Sequence, residues 1–276
     1  MPVTVKAAEI KATFNGEKTG NPFFDYFFRP LSFYCTVPLV NMGVSPNQAS
    51  LIGLFIGING LVLWCLGNWA GWIIGTVFML VYLMFDFIDG NIARYNDNAS
   101  YIGKFLDAFF NKVIGIGMPF AIAIGLINFD YDVETSILGL LPWQWMLLVG
   151  LSTTLWMLER ESYTRYESFL KTIEEYRKAN DTIIFNSTSP NNTKLKDQEV
   201  SFTVRIVLWA LRKLRVLRGI FLHGIVFIMI PLGLAECFLI IFVAVSIVSS
   251  LLEIMSLLYR GSTELNVYRR SATHRN

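Results

Sequence analysis

Apolar residues in this chain fall into long unbroken runs separated by polar connections. The runs outlast a barrel strand and lack the alternation of a half-buried one, which argues for helices. A helix that crosses a bilayer needs roughly 20 mostly apolar residues. Six candidate spans follow: Ala49–Leu66, Trp69–Ile88, Phe105–Ile127, Leu138–Leu158, Gly219–Leu234 and Ala235–Tyr259. The fifth is short and runs back into a basic stretch. Residues 21–45 are aromatic-rich but broken by Pro30 and Pro38, which suits a helix lying in the membrane interface. Residues 159–204 are polar: a helical stretch to Asn180, then an Asn/Ser/Thr/Pro-rich piece, 185–198, that reads as a loop. The expected fold is an all-α integral membrane protein with six transmembrane helices, an N-terminal interfacial helix and a helical insertion. Residues 1–45 form the N-terminal part, 46–260 the membrane domain with 159–218 as insertion and basic helix, and 261–276 a tail.

Composition strengthens this reading. Hydrophobic residues make up 54 % of the chain and charged residues 16 %, against about 25 % charged in an average soluble protein. Mean hydropathy is +0.48. A disordered chain, a fibrous repeat and most soluble enzymes are excluded. The net charge of +2 is too small to argue for nucleic acid as a partner. Cys35, Cys65 and Cys237 form no CxxC pair and no zinc pattern with His223 and His274. The polar N-terminus lacks the apolar region of a signal peptide, so none is expected.

The placement of basic residues orients the spans. The connections after spans one, three and five hold no Lys or Arg. The N-terminus, the connections after spans two and four with their helix ends, and the C-terminus hold 4, 3, 12 and 4, which is all 23. Cytoplasmic loops are enriched in these residues. Both termini and the insertion are therefore expected on the cytoplasmic side. Phe202–Arg218, with five basic residues, is expected to anchor to anionic headgroups or to meet a phosphate-bearing substrate.

Asp86, Asp89 and Asp107 need a different explanation. They fall in apolar surroundings at the cytoplasmic ends of spans two and three. An Asp well inside a membrane helix costs about 2.5–3.5 kcal/mol on insertion scales, and three together repel one another. A bound cation would offset both costs. Asp86 and Asp89 are i and i+3; Gly103, Asp107 and Asn111 are i, i+4 and i+8. Each set shares one helix face. Carboxylates on two adjacent helices suit one or two divalent ions, and oxygen ligands beside a phosphate favour Mg²⁺ or Mn²⁺. Gly90, Ala93 and Gly103 lack bulk, so backbone there can approach a helix or a ligand.

The residues read Asp86-x2-Asp89-Gly90-x2-Ala93-Arg94-x8-Gly103-x3-Asp107-x3-Asn111. This resembles the signature of the CDP-alcohol phosphotransferase family, D-x2-D-G-x2-A-R-x8-G-x3-D-x3-D, at every fixed position but the last. Val44–Ser50 also looks like the Pro-Asn segment that opens the family's first membrane helix. The resemblance implies two divalent ions on Asp86, Asp89, Asp107 and the position of Asn111, with a CDP-linked donor beside them. Gly90, Ala93, Arg94 and Gly103 would shape and hold the CDP part, and Asn47 and Ser50 would line the cytidine pocket. The implied reaction, at the cytoplasmic membrane surface, transfers a phosphoalcohol or phosphatidyl group to a lipid or polar alcohol acceptor. CMP is released, and phospholipid is the expected product class. The resemblance also suggests a homodimer among membrane lipids.

The last motif position departs from the signature. The family's general base stands there as an aspartate; Asn111 cannot take a proton as a carboxylate does. Losing a general base typically costs roughly 10²–10⁴-fold. Three readings stay open: a substitution made to trap a substrate complex, a variant whose acceptor arrives already ionised, or a nucleotide- or lipid-binding relative with impaired catalysis. A transporter with an acidic ion site is disfavoured, because the acids lie near one membrane face and no paired broken helices occur.

Overall fold

In the computed structural model, residues 5–14, 24–129, 134, 136–185 and 224–273 are described, and the regular structure among them is helical. In chain order the helices are α1 (Ala7–Ala12), α2 (Arg29–Asn41), α3 (Pro46–Cys65), α4 (Trp69–Tyr95), α5 (Tyr101–Asn128), α6 (Pro142–Phe185), α7 (Val226–Met229) and α8 (Ala235–Thr273). A π-helical turn, Phe24–Phe28, leads into α2. Among the described residues α3, α4, α5 and the first 24 residues of α8 are long and apolar enough to cross a membrane. The chain is an all-α integral membrane protein.

Six such spans were expected; the expected fourth differs for a physical reason, and the expected fifth lies partly outside the described residues. The expected fourth, Leu138–Leu158, is not helical before Pro142. Its apolar stretch is diluted by Gln144 and Ser152–Thr154 and closed by Glu159 and Arg160, which leaves it short of a spanning window. The helix continues through the polar residues to Phe185. The expected fifth begins outside the described residues; of it, residues 224–234 are described, with α7 as their one α-helical turn. The loop at 186–198 and the basic stretch 202–218 also lie outside. Residues 24–41 are helical, with Pro38 inside α2.

Local signals set the starts of the helices that carry the site. Ser45 caps α3 through a reciprocal box with Gln48, with Pro46 in the first turn. Asn68 caps α4, accepting from the Gly71 N–H at 2.7 Å, and Ser100 caps α5, accepting from the Gly103 N–H at 3.0 Å. The turn between α3 and α4 passes through Gly67 at φ +61°, a left-handed conformation that favours glycine.

The chain divides into two compact units, residues 1–150 with 219–242, and residues 151–218 with 243–276. In the first, α3 packs against both α4 and α5. Buried Gly53, Gly57 and Gly60 form the contact with α4. A Cβ at Gly53 would stand 2.8 Å from that of Phe85, and one at Gly57 would stand 3.0 Å from the Tyr82 ring. Helices in lipid gain nothing from apolar burial against one another, so close approach over small residues supplies the packing. This draws Tyr82 and Phe85, and with them Asp86 and Asp89, down onto α3.

In the second unit, Ser246, Ser249, Ser250, Glu253 and Ser256 are buried along α8, and Ser152, Thr153 and Glu159 are buried on α6. The Ser250 hydroxyl donates to Glu159 Oε2 at 2.8 Å. Glu253, an acid in an otherwise apolar run of α8, is part of this polar seam.

Candidate functional site

The motif residues occupy the last turns of α4 and the first turns of α5, over the N-terminal half of α3. One small cleft is lined by Ser50, Gly53, Tyr82, Phe85, Asp86, Asp89, Asp107, Phe110 and Asn111. A larger one, of about 270 Å³, adjoins it. Asn47, Ser50, Gly90, Ala93, Arg94 and Gly103 all line this second cleft, with Pro46, Asn98, Ala99, Ser100 and Lys104. Ser50, Asp89 and Asp107 belong to both. The ten site residues expected from the sequence thus converge on two clefts that share a wall.

The acids accept hydrogen bonds from neutral donors. Ser50 Oγ donates to Asp89 Oδ2 at 2.5 Å, and Asp89 is buried. The Asn111 amide nitrogen donates to Asp86 Oδ1 and Asp107 Oδ1, each at 2.8 Å. The Tyr82 hydroxyl donates to Asn111 Oδ1 at 2.5 Å. The amide therefore turns its N–H₂ to the acids and its oxygen to the phenol. Asn111 bridges two carboxylates as a neutral clamp, and in this orientation it offers them no ligand oxygen. Tyr82 was missed in the sequence because it sits inside an apolar run, where a tyrosine carries no signal of its own.

Among the described residues no group of three or more His, Cys, Asp or Glu is closed up enough to hold a metal ion. The donor chemistry nevertheless fits a hard cation. Asp86 and Asp107 are near enough to share one amide nitrogen, and Asp89 lines the same cleft. All three are oxygen donors of the kind Mg²⁺ and Mn²⁺ take. The amide N–H₂ stands between two carboxylates, where positive charge is stabilised.

The second cleft has the character of an anion site beside a polar pocket. Arg94 and Lys104 bring cations to its wall. A Cβ at Gly90 would stand 3.3 Å from Arg94 Nη1, so the missing side chain lets the guanidinium lie along the helix. A Cβ at Gly103 would stand 3.1 Å from Asn47 Oδ1, so that glycine keeps the α3 side of the cleft open.

Membrane-spanning helices that carry an acid-lined cleft beside one of mixed charge define a class of membrane protein with a polar site at the helix ends. The chain matches the CDP-alcohol phosphatidyltransferase family over residues 43–248 and belongs to it. A curated relative is the archaetidylinositol phosphate synthase of Pyrococcus horikoshii, 30 % identical over 100 residues, which are 36 % of this chain and 52 % of that protein. The chain thus spans about half the length of the curated relative it matches.

Proposed function

We propose that the protein transfers a phosphoalcohol or phosphatidyl group from a CDP-linked donor to an acceptor oxygen and releases CMP. The observation that carries this is the shared wall: Ser50, Asp89 and Asp107 line both the acidic cleft and the 270 Å³ cleft that holds Arg94. A diphosphate lying across that wall has its cytidine end toward Asn47 and its reacting phosphorus toward the acids. The acceptor oxygen forms a P–O bond as the phosphoanhydride bond to CMP breaks.

Asp86, Asp89 and Asp107 would hold one or two Mg²⁺ or Mn²⁺ ions, which when bound supply charge neutralisation at the phosphoryl oxygens. Arg94 orients the diphosphate through its planar fork. Ser50 fixes the Asp89 carboxylate. Asn111 holds Asp86 and Asp107 in register and has no capacity to take a proton. An acceptor that arrives ionised needs no base there, and an amide repels it less than a carboxylate would. The similarity to an archaetidylinositol phosphate synthase supports a phospholipid product here. The cytoplasmic placement of site and termini, and a homodimer, are part of the same reading.

The three hydrogen bonds of Asn111, to Asp86, Asp107 and Tyr82, also favour a second reading, a nucleotide-binding relative that does not turn over. CMP release by the purified chain with Mg²⁺, over a panel of CDP-linked donors and neutral or ionised acceptors, separates the two. Acceptor-dependent release supports the transferase. Binding of CDP-linked donors without release supports the second reading.

A further inference from the structure

Asn91 lies inside the motif at a position the signature leaves open, and it is 2 % exposed. Its side chain reaches two ways. Nδ2 donates to Ser32 Oγ at 2.9 Å and to Thr36 Oγ1 at 3.2 Å, both on α2. Oδ1 accepts from Arg94 Nη2 at 2.8 Å.

The direction of this relay is fixed by proton supply. The Ser32 hydroxyl donates to Arg29 O at 2.7 Å, and the Thr36 hydroxyl donates to Ser32 O at 2.7 Å. A hydroxyl has one proton and two acceptor lone pairs. With both protons spent on helix carbonyls, both oxygens present only lone pairs to Asn91. The amide must therefore turn its N–H₂ to α2, and its oxygen is left facing Arg94. Ser32 and Thr36 are fully buried, so water does not compete for these bonds. A second contact reaches the same guanidinium from the N-terminal side. Arg94 Cζ stands 5.8 Å from the Phe14 ring centroid, and Arg29 Cζ, from the turn of α2 that carries Ser32, stands 4.4 Å from it.

We propose that Asn91 is a positioning residue for Arg94, and that α2, through Ser32 and Thr36, sets the guanidinium over the nucleotide cleft. The inference rests on the reading of that cleft as the CDP site. It assigns the N-terminal helix a part in donor affinity, besides any part in membrane contact. A plain structural tie between α2 and α4 would use the same hydrogen bonds but would not act through Arg94.

A double-mutant cycle on the full-length chain separates these. The probe is CDP with Mg²⁺, titrated onto the purified protein, with thermal unfolding recorded for each variant. Asn91→Leu is expected to weaken CDP binding about tenfold, and to weaken it no further in an Arg94→Ala background. Ser32→Ala with Thr36→Val, which leaves Asn91 in place, is expected to weaken CDP binding several-fold, again only while Arg94 is present. This second variant decides the question if Asn91→Leu does not fold. Unchanged CDP binding in these variants, or a loss of equal size without Arg94, overturns the inference. Absence of CDP binding by the unaltered protein overturns the nucleotide reading itself and the inference with it.

Discussion

The phenol of Tyr82 on α4 donates to the amide oxygen of Asn111 on α5 at 2.5 Å, and that bond decides which end of the amide faces the acids. Tyr82→Phe removes the donor and leaves the amide free to turn. The net loss of one such bond is about 1 kcal/mol. A lowered unfolding temperature, measured without divalent ions, is the expected outcome.

Asn111→Asp replaces two N–H donors by a fourth carboxylate. Asp86 and Asp107 lose their shared partner and gain a like charge. The variant is expected to be less stable than the parent in chelator and to recover more on adding Mg²⁺, because an ion that binds only the folded state stabilises by mass action. Thermal unfolding with and without Mg²⁺ reads both effects. If position 111 is a vacant base site, CMP release rises by roughly 10²–10⁴-fold.

Ser50→Ala strips the hydroxyl from Asp89, a buried carboxylate. Hydrogen bonds to charged groups are worth about 1.5–3 kcal/mol. Because Asp89 lines both clefts, Mg²⁺ and CDP affinity are expected to fall together. Calorimetric titration of each ligand tests this, and a loss confined to one of them would break the shared-wall argument.

Gly53→Val tests whether helix packing sets the site. The new Cβ would meet the Phe85 Cβ at 2.8 Å, next to Asp86 in the chain. Overpacking of a tight contact costs about 1–3 kcal/mol. The expected result is a loss of CMP release in protein that still folds, since α4 must move to relieve the contact.

Much of the site was legible in the sequence because its residues repeat at helical spacing. Asp86 with Asp89, and Gly103 with Asp107 and Asn111, each define a helix face, and the short connection 96–100 makes those faces neighbours. What was illegible depends on pairings distant along the chain. Asn91 meets Ser32 across 59 positions, and Ser250 meets Glu159 across 91. No local period reports such contacts. The expected fourth span overran because Leu138–Leu141 is apolar without being helical, while Gln144 and Ser152–Thr154 weaken the helix that does form there. The role of position 111 was readable only as a departure. Its hydrogen bonds to Asp86, Asp107 and Tyr82 required coordinates.

The most direct test of the central claim is formation of the product lipid. Purified protein in lipid vesicles would be given a CDP-linked donor, Mg²⁺ and a panel of acceptors, and the product followed by mass spectrometry beside Asp89→Asn. The account predicts acceptor-dependent product in the unaltered protein, abolished by chelator and by Asp89→Asn. Product that survives Asp89→Asn and chelation would contradict it.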